Sequence, residues 1–181
     1  MFTDEQVVTQ CQQWLDKIII GLNFCPFAKK EFVNNSIAYP VLRNVDFDAA
    51  VTELVKHCKH LDEHDEVTTA LLIFAEDFSY FEDFLHLVNV AEKKLIKQGY
   101  EGIYQIATFH PDYYFAGVDE NDVSNYTNRA PFPILHLIRE DDLERAINAH
   151  PDPEGIPDKN IAVCHAKGLS FFQSFLQALK K

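Results

Sequence analysis

Most of the residues in this chain that could do chemistry lie in one stretch, Phe109 to Glu140, which reads FHPDYYFAGVDENDVSNYTNRAPFPILHLIRE. His110 and Asp112 follow directly on an apolar run ending at Phe109. A neutral imidazole just past a strand can serve as base or acid, and a carboxylate two residues on can fix its tautomer. The plainer alternative is that Pro111 ends the strand and Asp112 caps a turn. Asn128 and Arg129, followed by the stiff Ala-Pro-Phe-Pro, have the chemistry of an anion clamp, because a guanidinium offers a planar fork to a carboxylate or phosphate. The competing use is an internal salt bridge. His136 alternates with Ile134 and Ile138 on a strand face, so it is either a satisfied core group or a polar group projecting into a cavity. Arg139, which closes the same run beside Glu140, is a weaker anion-binding candidate.

Cys25 is the candidate outside this stretch. It precedes Pro26, and proline favours the first position of a helix, so unpaired amides and the nearby Lys29 and Lys30 would favour a thiolate. The alternative is a small residue wedged into a helix corner. Together these residues suggest an enzyme for a small anionic metabolite. Arg129 and Asn128 would hold the anion, His110 with Asp112 would transfer protons, and His136 and Cys25 would line the pocket. Two other classes compete with this reading. A metal-binding protein would use His110, Asp112 and His136, although no CxxC or HExxH spacing is present. A non-catalytic interaction module would present Tyr113, Tyr114, Phe115 and Phe132 on its surface. A thiol-redox role ranks last. No cofactor is expected, and a divalent metal is the alternative occupant.

These side chains must be positioned by a framework that hydrophobic periodicity outlines. Thr3 and Gln6 form a capping box for a first helix carrying Val7, Cys11, Trp14 and Ile18 on one face and ending near Gly21 and Asn23. Ser36 to Arg43 reads as a strand, and a helix runs from Asp46 through Leu61. Val67 to Ala75 is a continuous apolar run, as in a strand buried on both faces. Ser79 and Glu82 form a second capping box before a helix that stops at Gly99. Strands follow at Gly102 to Phe109 and Ile134 to Ile138, then a short helix from Glu140 to His150 and a last one from Asp158 to Leu179, with Gly168 a potential break. The alternation predicts an α/β or α+β fold: a mixed four-stranded sheet with a βαβαβ-loop-βα core, flanked by N- and C-terminal helices. One domain is expected over residues 1–181, with terminal helices in 1–33 and 158–180 around a sheet core in 36–150. The fourth strand could return antiparallel to the third across the long loop.

Composition limits the partners. Acidic residues outnumber basic ones 28 to 16, giving a net charge of −12, which argues against nucleic acid and anionic membrane surfaces. No apolar run approaches the ~18 residues of a membrane span, and the acidic opening MFTDEQVV lacks the form of a targeting peptide. Cys11, Cys25, Cys58 and Cys164 are scattered, which suits reduced thiols and a cytoplasmic protein. Oligomeric state is left open.

Three motifs taken together, CPFA (Cys25 to Ala28), FHPDY (Phe109 to Tyr113) and NYTNRAPFPILHLIRE (Asn125 to Glu140), resemble the bacterial and plastid family known as domain of unknown function 1415. The resemblance spans nearly the whole chain. It implies a soluble, cytoplasmic protein of that family and brings no catalytic residues with it, so the site argument rests on chemistry.

Overall fold

The computed structural model describes residues 2–180. Thr3 caps helix α1 (Asp4–Trp14) with the reciprocal bonds of a capping box: its hydroxyl accepts from Gln6 N (3.3 Å) and its own amide donates to Gln6 Oε1 (2.9 Å). The helix then widens, without breaking, into a π turn over Leu15–Ile20. A short helix α2 (Ala28–Val33) leads into the sheet strands β1 (Ile37–Ala38) and β2 (Val41–Leu42). Helix α3 (Phe47–Glu63) is capped by Asp46, whose carboxylate accepts from Ala49 N at 2.9 Å. Strand β3 (Thr69–Phe74), helix α4 (Phe81–Lys97), strand β4 (Tyr104–Phe109) and strand β5 (Ile134–Arg139) follow. Helices α5 (Glu140–Ala149), α6 (Ile156–Lys167) and α7 (Leu169–Leu179) complete the order.

The sheet runs β1-β3-β5-β4, with β2 continuing the β1 edge along β3. β1 and β2 are parallel to β3, whereas β5 lies antiparallel between β3 and β4. This mixed sheet follows from chain length between strands. The β3-α4-β4 crossover returns β4 in the direction of β3, and the long segment before β5 lets the chain turn back between them. Helices cover both faces. Ala70, Leu72, Phe74, Leu135 and Leu137 pack with α3 and α4 on one side. Leu71, Ile73 and Ile134 pack with α1, the π turn and Phe172 of α7 on the other. Every residue of β3 is buried, as its unbroken apolar run requires.

Three local expectations change. The single strand over Ser36 to Arg43 is interrupted at Tyr39-Pro40. Proline has no N–H to give a ladder, and here the Pro40 carbonyl instead accepts from Ile73 N (2.9 Å). The last helix is two helices, because Gly168 takes φ +77° and ψ 161°, a region almost closed to other residues. Tyr80, not Ser79, is the N-cap residue of α4, and it makes no side-chain cap bond. Among the described residues no helix is long and apolar enough to cross a membrane.

Candidate active site

Alternation along β5 sends His136 to the same sheet face as Ile134, the face that α1 and the π turn cover. His136 is paired across the ladder with Leu71, so Thr69, two residues earlier on β3, is its diagonal neighbour. Thr69 Oγ1 donates its only proton to the Leu137 carbonyl (2.6 Å) and lies 2.7 Å from His136 Nε2. The hydroxyl must therefore accept from Nε2–H. This fixes the imidazole as the neutral Nε2–H tautomer and leaves Nδ1 as a lone-pair acceptor. Among the described residues Nδ1 has no hydrogen-bond partner. Burial holds the imidazole pKa down at about 4, so the ring is uncharged at neutral pH.

His136 lines a cavity of about 660 Å³, within the range of small-molecule sites. Trp14, Leu15 and Ile19 from the N-terminal helix, Ile37, Leu71 and Phe109 from the sheet, and Leu143 and Ala146 from α5 make most of its wall apolar. Trp14 is tied in place by donating Nε1–H to the Arg129 carbonyl (3.0 Å) and packs edge-on against Phe109 at 5.1 Å. The polar groups gather at His136, Thr68, Thr69 and the charged side chains of α2, α5 and Arg139. Glu31 Oε2 accepts from the hydroxyls of Ser36 (2.6 Å) and Thr68 (2.8 Å). Burial raises the Glu31 pKa, but those two bonds and the Lys30 charge outweigh it, so the carboxylate titrates below its ordinary range. Lys30 and Arg145 also reach the cavity, and their side chains are 80% and 71% exposed.

Cys25 lines this cavity as well. The π turn positions it: the Ile19 carbonyl accepts from both Phe24 N (2.8 Å) and Cys25 N (3.3 Å). Alone among the four cysteines it is not buried. Burial of the sulfur nevertheless raises its pKa, and the Phe27 and Ala28 amides oppose this only in part. The resting group is a thiol, which removes the thiolate that its position before a helix suggested.

The other sequence candidates do not converge on His136. His110 is fully buried on the opposite sheet face, where its ring packs near Phe81 (5.1 Å) and Phe84 (5.3 Å). Its Nδ1 accepts from Asp112 N and its Nε2–H donates to the Phe78 carbonyl, both at 3.0 Å. Burial lowers its pKa, against the opposing influence of the Phe78 carbonyl and of Asp112 and Glu82. Asp112 thus meets His110 through its backbone, and its side chain is exposed. Arg129 spends its guanidinium inside its own loop, donating to the carbonyls of Tyr113 (3.0 Å) and Glu120 (2.7 Å) beneath Tyr126. Asn128 donates to the Thr108 carbonyl (3.0 Å) and lines a smaller neighbouring cavity. Arg139 touches the cavity, but its guanidinium donates to the Tyr104 hydroxyl (3.0 Å) and to the Leu61 and Val67 carbonyls. His110 and His136 stand on opposite faces of the sheet and cannot share one ion. Among the described residues no three His, Cys, Asp or Glu side chains gather as a metal set.

Sequence reasoning missed Thr69, Glu31, Lys30, Arg145 and Trp14 as cavity residues. A usable signal existed for Thr69, a hydroxyl residue within an otherwise apolar buried run. The α5 residues gave none, because exposed helix positions look alike before the helix is docked.

A family model described as Protein of unknown function (DUF1415) matches residues 6–174. No curated protein and no solved structure matches the chain.

Proposed function

The chain belongs to the DUF1415 family, and we propose that it is an enzyme that binds a small anionic molecule in the His136 cavity and acts on it by proton transfer. The observation that carries this reading is the unpartnered Nδ1 of a neutral imidazole, its tautomer fixed by Thr69, at the wall of a largely apolar cavity. A lone pair that no protein donor meets, facing a cavity, is free to take a donor from a ligand or water. A group kept neutral in this way accepts a hydrogen bond from a substrate O–H or N–H and then its proton.

Lys30 and Arg145 supply the positive charge for the anionic end. Each of these exposed cations pairs with a less exposed acid, Lys30 with the half-buried Glu31 at 3.5 Å and Arg145 with Asp142. With the cation solvated in each, such pairs contribute only ~0–1 kcal/mol, so turning the cation from a protein carboxylate to a ligand carboxylate or phosphate costs little. The ligand charge has a second effect. An anion inside the cavity raises the His136 pKa from about 4 towards neutrality, bringing the imidazole closer to an efficient base. The substrate therefore helps to activate the residue that acts on it. Cys25 contributes a neutral thiol to the wall.

Two further observations favour this reading over its competitors. The loop aromatics are folded inward: Phe132 is buried, and Tyr113 and Tyr114 pack against Phe81 at 5.2 and 5.0 Å, leaving little for a partner surface. The proposed metal set is divided by the sheet. The test is to incubate a metabolite extract with wild type, His136→Gln and Ala146→Trp, then follow anionic components by mass spectrometry. Wild type should consume a component that His136→Gln leaves intact and that Ala146→Trp, with its cavity filled, also leaves intact. Equal consumption by all three would remove the proposal.

A further inference from the structure

A second cavity, of about 480 Å³, lies beside the first and shares Ile19, Cys25 and Phe109 with it. Its remaining wall comes from different elements: Phe24, Phe115 and Val118 from loops, Ser124 and Thr127 from a 3₁₀ turn (Val123–Thr127) with Asn128 after it, and Pro157, Asn160 and Ile161 from α6. The π turn spreads the chain at Ile19, whose carbonyl is committed to the Phe24 and Cys25 amides. Cys25, Ile19 and Phe109 thus form the boundary that the two cavities share.

The two cavities differ in charge. Lys30, Glu31, Asp142 and Arg145 all reach the first, whereas no charged side chain lines the second. We infer that the two cavities are compartments of one elongated site, whose ligand is an amphipathic carboxylate with a linear apolar tail. The head lies at the Lys30 and Arg145 mouth, the chain passes His136, and the tail crosses the Cys25, Ile19 and Phe109 constriction into the uncharged compartment. An ionised group in that compartment would have no counter-charge, and its desolvation would go uncompensated. An apolar tail meets Phe24, Phe115, Val118 and Ile161 instead. This assignment rests on the His136 cavity being the ligand site and adds the substrate class and its direction.

Trp14, the only tryptophan, lines the first cavity and reports its occupancy directly. The probes are the n-alkyl carboxylates from butanoate to tetradecanoate, titrated below their micelle concentrations while Trp14 fluorescence is followed. In wild type each added methylene should tighten binding about fourfold, and the gain should continue into the longest members. Val118→Phe and Ile161→Phe each narrow the second compartment only, and Ile161 is 43% exposed, so that substitution leaves the fold intact. In both variants short chains should bind as in wild type, and the gain should stop at an intermediate length, leaving tetradecanoate at least tenfold weaker. A plateau at the same length in all three proteins overturns the two-compartment site and leaves the first cavity as a ligand site. No fluorescence response at any length overturns both.

Discussion

Replacing His136 with glutamine should make the protein less sensitive to acid. Glutamine keeps an N–H that can donate to Thr69 and cannot be protonated in this range. In the folded wild type the imidazole pKa lies at about 4, against an ordinary value of 6.5. The folded state therefore binds fewer protons than the unfolded chain between those values. Its stability contribution is fully present above pH 6.5 and is lost as the pH falls through 4. With 1.36 kcal/mol per pKa unit, the loss reaches about 2 kcal/mol by pH 5 and about 3 kcal/mol at the acid limit. His57 and His110, also lowered by burial, act in the same direction, but they are present in both proteins and cancel in the difference. Urea unfolding of wild type and His136→Gln at pH 7.5, 6 and 5 reads that difference directly. The gap between the two proteins should move by about 2 kcal/mol in favour of the variant from pH 7.5 to pH 5. Parallel pH profiles would mean that His136 is not held neutral by its surroundings and would refute the reasoning.

Three other substitutions or probes test the remaining assignments. His110→Leu should leave the Phe78 carbonyl and the Asp112 amide unpaired, costing about 2 kcal/mol or more in chemical denaturation while leaving carboxylate binding at Trp14 unchanged. In the native state a disulfide reagent should label one thiol per chain, Cys25, because Cys11, Cys58 and Cys164 are buried. The rate should climb as the pH is raised beyond 8, since the thiol pKa is raised, and mass spectrometry of the labelled peptide identifies the site. Gly168→Ala forces a side chain into a backbone region that glycine alone occupies readily, so the melting temperature should fall by an amount corresponding to ~1–3 kcal/mol.

Periodicity carried the framework because it is a local property. The Thr3 cap and the buried β3 run follow from residues near one another in sequence, whereas the antiparallel return of β5, left open by the sequence, is set by pairing across distant segments. Pro40 carried a readable break that an apolar stretch around it concealed. The site was harder for a geometric reason. His110 and His136 look equivalent in sequence, but the ladder pairs Phe109 with Ile134 and Ala107 with His136. His110, an odd number of residues from Ala107, therefore belongs to the other face. One residue of register decides which histidine meets a cavity and which ties a loop, and register is a long-range property. The arginines misled in a similar way. Arg129 and Arg139 have the chemistry for anions, yet loop and helix-end carbonyls already occupy their donors, while Lys30 and Arg145 look like ordinary surface charges until α2 and α5 are docked.

The proposed function requires His136 to offer an unprotonated Nδ1 to a ligand in its cavity. Long-range ¹⁵N–¹H imidazole spectra of labelled protein at pH 7, recorded with and without decanoate, test it most directly. His136 should be the neutral Nε2–H tautomer, and its Nδ1 resonance should shift saturably with decanoate while those of His110 stay fixed. A His136 that is charged at pH 7, carries its proton on Nδ1, or ignores the ligand while other histidines respond would contradict it.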